Sequence, residues 1–158
     1  MIRRATVDDL DAIMAIETAT FPTDAWSAST MRAELGDRHG WYLVDDDGGV
    51  LQAYAGLRAP VGEPQADIQT LAVIPAARRR GLAGALLDRL EGVAVERGAT
   101  ELFLEVRADN PPAIALYTAR GFEQIALRPH YYQPDDVDAL IMRKPLRRSA
   151  PVGAEATA

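Results

Sequence analysis

The sequence contains no cysteine and only two histidines, His39 and His130. Without thiols there is no disulfide framework and no thiolate nucleophile. Two histidines are too few for the usual zinc ligand sets, so no metal site is expected. No segment approaches the ~20 consecutive apolar residues of a membrane span. Behind Met1-Ile2-Arg3-Arg4-Ala5 there is no apolar run of the kind a secretory signal carries, so a cytoplasmic location is expected. Basic residues are outnumbered, 17 Lys and Arg against 23 Asp and Glu, for a formal net charge of −6. A nucleic-acid surface needs the opposite sign, so the balance argues against nucleic acid and leaves room for a basic partner.

What is present suits one domain. The chain has 158 residues, 48% of them hydrophobic, an ordinary globular composition with enough length for a core. Ile2 to Ala5 reads as a strand. Thr6 is a helix-cap residue, and the helix after it carries Leu10, Ile13 and Met14 as its apolar face, with Glu17 one turn on. "TFPTDAW" breaks the pattern into a loop anchored by Phe21 and Trp26. Ser27 caps a short second helix that stops at Gly36. Trp41–Val44 and Val50–Leu57 flank the hairpin signal Asp45-Asp46-Asp47-Gly48-Gly49. "ADIQTLAVI" is a strand that Pro75 ends. The arginine-rich segment after it opens a long helix with Leu82, Leu86, Leu90 and Val93, and Gly98 stops it. "ELFLEVR" is a strand, and Asn110-Pro111-Pro112 opens the last helix, which Gly121 ends. Phe122–Leu127 and Ala139–Leu146 are the last strands. This order predicts a mixed α/β domain over residues 1–148, with about six to seven strands and about four helices. Residues 149–158, small, polar and aperiodic, are expected to be a disordered tail. No internal repeat is visible.

The segment "IPAARRRGLAGALL" places Arg78, Arg79 and Arg80 at the start of a helix, where the backbone dipole already carries partial positive charge. Unpaired N–H groups at a helix start bind anions, and three guanidinium groups strengthen that potential. Gly81 and Gly84 let the backbone approach a ligand closely. The residues alone leave two readings open, a pyrophosphate site and a solvated basic helix start. The segment lacks the Gly-Lys-Ser/Thr ending of a Walker loop and the Gly-x-Gly-x-x-Gly dinucleotide turn.

A strand ending in Val73-Ile74-Pro75 and followed by Arg-x-x-Gly-x-Ala, Arg78 to Ala83, resembles the acetyl-CoA loop of the GNAT family of N-acetyltransferases. "LFLEVRADNPPAIALYTARGF", residues 102 to 122, resembles the RimI branch of that family, the ribosomal-protein-alanine N-acetyltransferases. "FPTDAW" and "HYYQPDDVDALIMRKPL" agree with it, so the resemblance covers about residues 2 to 147. It implies the GNAT fold and acetyl-CoA as cosubstrate. It implies that the amides of Arg78, Arg79, Arg80, Gly81, Leu82, Ala83 and Gly84 cradle the pyrophosphate. Backbone groups of Leu71, Ala72 and Val73 would face the acetyl-pantetheine arm where two parallel strands splay, with a backbone N–H among them as oxyanion donor, and Asn110 would add a contact to the cofactor. Ile74 departs from an acidic residue frequent in the family, and Gly84 stands where some members have arginine.

Acetyl transfer to an amine needs a base for the amine, a donor to the carbonyl oxygen and an acid for the thiolate. Alternation in "LFLEVR" puts Leu102, Leu104 and Val106 on one face and Phe103, Glu105 and Arg107 on the other. By residue pattern alone Glu105 is either a base or a structural partner of Arg107. Tyr117, two turns into its helix, is either core or a proton donor. The resemblance places the family's proton acceptor at Glu105 and its donor at Tyr117. Phe21, Trp26, Tyr131 and Tyr132 lie in loops the family uses around an acceptor peptide, and acidic Asp24, Asp135, Asp136 and Asp138 stand near them. The implied acceptor is a protein N-terminus, the N-terminal alanine of a small-subunit ribosomal protein, and the implied state a monomer or weak dimer. An acetyltransferase of a small amine and a non-catalytic CoA-binding domain are the competing readings.

Overall fold

Seven strands form one sheet in the order β1-β2-β3-β4-β5-β7-β6, where β1 is Ile2–Arg4, β2 Gly40–Asp47, β3 Val50–Arg58, β4 Gln65–Val73, β5 Glu101–Arg107, β6 Glu123–Tyr132 and β7 Val137–Pro145. Four α-helices join them: α1 (Leu10–Thr20), α2 (Ala28–Gly36), α3 (Leu82–Glu96) and α4 (Pro111–Ala119). The computed structural model describes residues 1–147. The tail expected at residues 149–158 lies outside the described residues. Among the described residues only β4 and β5 pair in parallel, and α3 is the crossover between them. The mixed α/β arrangement is the one that the order of elements predicts.

Local chemistry sets the element ends. The Ser27 hydroxyl accepts a hydrogen bond from the Thr30 N–H at 3.1 Å and so caps α2. The Asn110 side chain accepts from the Ala113 N–H at 3.3 Å, and Pro111 and Pro112 fill the first turn of α4, where their missing donors cost nothing. Near the N-terminus, Asp9 accepts both arms of the Arg3 guanidinium, at 2.9 and 2.8 Å, and the Thr6 N–H at 2.8 Å.

The sheet separates two cores. On one side Leu86, Leu87, Leu90 and Ala94 of α3 pack on Leu57, Leu102, Leu104 and Val106. On the other, Ile13, Ile16 and Met31 from α1 and α2 pack on Tyr42, Val44 and Tyr54. Leu90 is fully buried, so truncating it to alanine is expected to cost about 2–5 kcal/mol.

Three local expectations change. The buried face of α1 is Leu10, Ile13, Ile16 and Glu17, whereas Met14 is only partly buried. A helix stripe follows from what packs against it, and here Tyr54 takes the position beside Glu17. The arginines do not open α3. A 3₁₀ turn at Pro75–Ala77 follows β4, Arg78 to Gly81 form an irregular turn, and α3 begins at Leu82. Finally, β6 does not stop at Leu127 but runs to Tyr132, because β7 pairs with it as far as Val137 opposite Tyr132. Tyr131 and Tyr132 therefore end a strand and are not loop residues.

Candidate active site

The site begins as a break in the sheet. The β4–β5 ladder holds only at Gln65–Glu101, Ala66–Leu102 and Asp67–Phe103. Beyond it β4 continues to Val73 and β5 to Arg107 without pairing to each other. On its other edge β4 is irregular as well: Gly56 pairs with Thr70 and Leu57 with Ile68, so Gln69 is bulged out. A bulge bends and twists its strand, and here the bend coincides with the fork. The strand edge left open carries unpaired backbone donors and acceptors, the kind of edge an extended ligand arm can join.

A cleft of about 860 Å³ occupies the fork. Leu71, Glu105, Asn110 and Tyr117 line it, from β4, β5 and α4. Phe21 and Trp26, from the α1–α2 connection, and Tyr131 and Tyr132, from β6, line it too. Residues spread over more than a hundred positions thus meet in one cavity. Ala72 and Val73 do not line it. The Ala72 side chain is buried in the α1–α2 core, and Val73 packs against the α3 core.

Glu105 sits on the polar face of β5, as alternation predicts, with a side chain 34% exposed. Its ionic partner is Arg128 of β6, at 3.5 Å, and not Arg107. The Glu105 carboxylate, as an acceptor beside the Tyr131 hydroxyl, is the main cause of a raised Tyr131 pKa. Arg107 is engaged elsewhere: it donates to Asp109 at 2.9 Å and to Asp135 at 3.0 Å, and lies 3.6 Å from Asp24. Thr23 donates to the same Asp135 at 2.6 Å. This network ties the α1–α2 connection, β5 and the β6–β7 turn together across the mouth of the cleft. The Arg107 guanidinium also lies over the Tyr132 ring, 5.2 Å from its centroid, and burial pushes the Tyr132 hydroxyl pKa well up.

Tyr117 is 8% exposed and sits edge-on to Phe122, with ring centroids 5.8 Å apart. Burial pushes its hydroxyl up to about 12, so it stays protonated at neutral pH. The ring belongs to the core, and the residue also borders the cleft.

Arg78 to Gly84 lie outside the cleft, in the turn that leads into α3. Arg78, Arg79 and Arg80 are exposed. Arg78 donates to the Val73 carbonyl at 3.2 Å and Arg80 to the Ala76 carbonyl at 3.5 Å, so two of the three also brace the turn. Gly81 caps α3 with φ of +75°, a left-handed conformation that side chains disfavour, and open space surrounds it. The glycine serves the turn, and the open space beside it leaves room for a ligand. Gly84 is different: a Cβ there would stand 1.8 Å from the Arg120 guanidinium, which reaches over the first turn of α3 and pairs with Asp88. Cationic groups from two elements therefore flank this helix start. The open β4 edge, the exposed arginines and the free amides of Leu82, Ala83 and Gly84 fit an extended cofactor with a pyrophosphate.

Sequence reasoning missed Glu17, Asp67 and the Arg107 network as parts of the site. Glu17 lines the cleft yet is 2% exposed; it accepts from the Trp26 N–H at 2.9 Å and from the Tyr54 hydroxyl, with the Thr70 hydroxyl 3.5 Å away. Burial above all pushes its pKa up. The signal was present, since Glu17 follows Leu10 and Ile13 at helical spacing on the buried face.

The sequence matches the model of the Acetyltransferase (GNAT) family over residues 10–122. The chain belongs to this family of acetyltransferases. It is 37% identical over 142 residues to the [ribosomal protein bS18]-alanine N-acetyltransferase of Escherichia coli K12, covering 87% of this chain and 92% of that protein. The crystal structure of the Escherichia coli ribosomal-protein-S18-alanine N-acetyltransferase superposes with a TM-score of 0.81 over 96% of this chain and 97% of that one, at 31% identity. The N-alpha-acetyltransferase RimI of Mycobacterium tuberculosis is 37% identical over 123 residues, 77% of this chain and 76% of that protein. A Mycobacterium leprae protein, ML0378, is 37% identical over 147 residues, 91% of this chain, but the match spans only 40% of that longer protein. The seven-stranded mixed sheet with its four helices is the GNAT fold.

Proposed function

We propose that the protein transfers the acetyl group of acetyl-CoA to the α-amino group of a protein N-terminus, with the N-terminal alanine of a small-subunit ribosomal protein as the acceptor. The observation that carries this reading is the meeting of Glu105, Tyr117 and the aromatic pairs Phe21/Trp26 and Tyr131/Tyr132 in one cleft at the β4–β5 fork. The names of the Escherichia coli and Mycobacterium tuberculosis relatives support the acceptor class.

Acetyl-CoA supplies the acetyl group as a thioester. Arg79, Arg80 and the first amides of α3 hold its pyrophosphate, and the open edge of β4 around Leu71 to Val73 aligns its arm. Glu105 takes a proton from the amine, directly or through one water. An α-amine titrates near ~8 and a lysine near ~10.4, so a carboxylate deprotonates the terminal amine far more readily. Tyr117 holds the proton for the departing sulfur. A backbone N–H on the open β4 edge among Leu71 to Val73 stabilises the carbonyl oxygen. Asp24 and Asp135, fixed by Arg107, give the mouth of the cleft a negative rim that suits a basic peptide.

The test is incubation with acetyl-CoA and an alanine-initiated basic peptide, the same peptide with a blocked α-amine and an internal lysine, and small amines. Mass spectrometry locates the acetyl group. Acetylation of the α-amine alone is the expected result. Preference for lysine or for small amines would replace the peptide reading, and cofactor binding without transfer to any amine would make the protein a CoA-binding domain.

A further inference from the structure

Two arginines border the cleft, and they are held in opposite ways. Arg107 of β5 has a side chain 17% exposed and is bound to Asp109 and Asp135, with Asp24 at 3.6 Å. Arg128 of β6 is 58% exposed, and among the described residues Glu105 is its one ionic partner, at 3.5 Å. Both Glu105 and Arg128 line the cleft. The cation paired with the proposed base is therefore the loosely held one.

Sheet register puts it there. Ile141 of β7 stands between Glu105 on β5 and Ala126 on β6, and Ala139 stands between Arg107 and Arg128. Registered neighbours share a face, so Glu105 and Arg128 lie on one face, two strands apart. Two strand spacings are about 9.5 Å, a gap that a long arginine and a glutamate close by reaching toward each other. The alanine at position 139 is small enough to let the arginine cross β7. The Arg128 guanidinium also lies over the Tyr131 ring, 5.6 Å from its centroid. An exposed ion pair of this length is weak, and a guanidinium released from it keeps the ring and solvent.

A peptide α-amine reaches the cleft at neutral pH mostly as its ammonium ion. To give up its proton it must approach the Glu105 carboxylate, which Arg128 already holds. Two cations on one carboxylate repel each other, so one has to withdraw. Arg107 would strand its aspartates by moving. Arg128 would strand nothing.

We propose that Arg128 and the acceptor's α-ammonium ion exchange places on Glu105, which makes Arg128 a positioning and specificity-determining residue. In the free protein the guanidinium holds the carboxylate. The incoming ammonium ion takes its place, and Arg128 withdraws onto Tyr131 and solvent. After transfer the nitrogen is an uncharged amide. Glu105 passes its proton to solvent and pairs with Arg128 again, which favours release of the product. An N-terminus that is already blocked brings no charge and leaves the pair closed. The exchange itself makes and breaks no covalent bond. It rests on the reading of Glu105 as the base.

Calorimetry with CoA present reads the exchange without turnover. The probes are the alanine-initiated basic peptide with a free α-amine and the same peptide N-acetylated. Arg128→Gln is expected to tighten binding of the free-amine peptide by about two- to fivefold, the range that loss of one exposed competing charge allows, and to leave the acetylated peptide unchanged. Arg128→Lys keeps a cation in place and should behave like the unaltered protein. With Glu105→Gln already present, Arg128→Gln should change neither peptide. Equal tightening of both peptides would mean general repulsion of basic chains and would overturn the proposal. Unchanged, weaker or undetectable binding of the free-amine peptide to the Arg128→Gln protein would overturn it too, as would a gain that survives Glu105→Gln. The functional reading fails separately, if Glu105→Gln keeps its full transfer rate or if the unaltered protein acetylates no peptide. The binding comparison decides the exchange in either case.

Discussion

The Glu17 carboxylate accepts a hydrogen bond from the Trp26 backbone N–H at 2.9 Å, so a buried acid on α1 fixes the segment that carries an aromatic wall of the cleft. The same carboxyl binds the Tyr54 hydroxyl. Glu17→Ala leaves buried donors unmatched and is expected to cost about 1–3 kcal/mol for each. It should also raise the peptide KM more than the acetyl-CoA KM, because Trp26 loses its anchor. Urea unfolding and the two KM values check both points.

Glu17 makes a pH prediction as well. Burial raises its folded pKa above the ordinary 4.5. The folded state therefore binds this proton more tightly than the unfolded chain, and stability from this group falls as pH rises from about 4.5 through the folded value. Glu17→Gln has no such loss. Its stability relative to the unaltered protein should rise with pH across that window, as measured by thermal unfolding in matched buffers. A flat difference would contradict the assignment.

Asp9 behaves oppositely. The hydrogen bonds from Arg3 are the main cause that lowers its pKa below 3.8. Its contribution is present above the ordinary value and is lost as pH falls through the depressed one. Asp9→Asn should destabilise the protein at neutral pH, and the difference from the unaltered protein should shrink in acid, below about pH 4.

Glu105→Gln and Tyr117→Phe should each lower kcat by roughly 10²–10⁴-fold with acetyl-CoA affinity nearly unchanged. Burial holds the Tyr117 hydroxyl at about 12, so its loss should not produce an alkaline fall in rate below about pH 11. Pre-steady-state rates across pH are the measurement, and full rate in either variant removes that residue from the chemistry.

Arg79→Ala combined with Arg80→Ala should weaken acetyl-CoA binding by tenfold or more, from charge-assisted contacts of about 1.5–3 kcal/mol each. Added salt should reduce the effect, because both side chains are exposed. Calorimetry at two salt concentrations reads it directly.

Much of the fold was legible because its signals are local. Ser27 and Asn110 cap the helices they were expected to cap, and the Asp45–Gly49 hairpin joins β2 to β3. Alternation in β5 placed Glu105 on the open face and Leu104 in the core. The failures were at positions that partners decide. The end of β6 depends on how far β7 follows it, and the start of α3 depends on the left-handed turn at Gly81. Tyr131 and Tyr132 still reach the cleft, but as the end of a strand.

By itself the sequence determined which face β5 would turn inward, that Ser27 and Asn110 would cap their helices, and that a leucine-lined helix follows the arginines. These depend on residues a few positions apart, within reach of backbone periodicity and side-chain hydrogen bonds. Tertiary structure alone decided that β4 and β5 part beyond Asp67 and Phe103, that Arg128 and Tyr131 meet Glu105 while Arg107 turns to its aspartates, and that Glu17 is buried against Tyr54. Those relationships join segments dozens of residues apart. Coulombic and hydrogen-bonding partners at that distance are chosen by sheet register and helix packing, which no local pattern encodes.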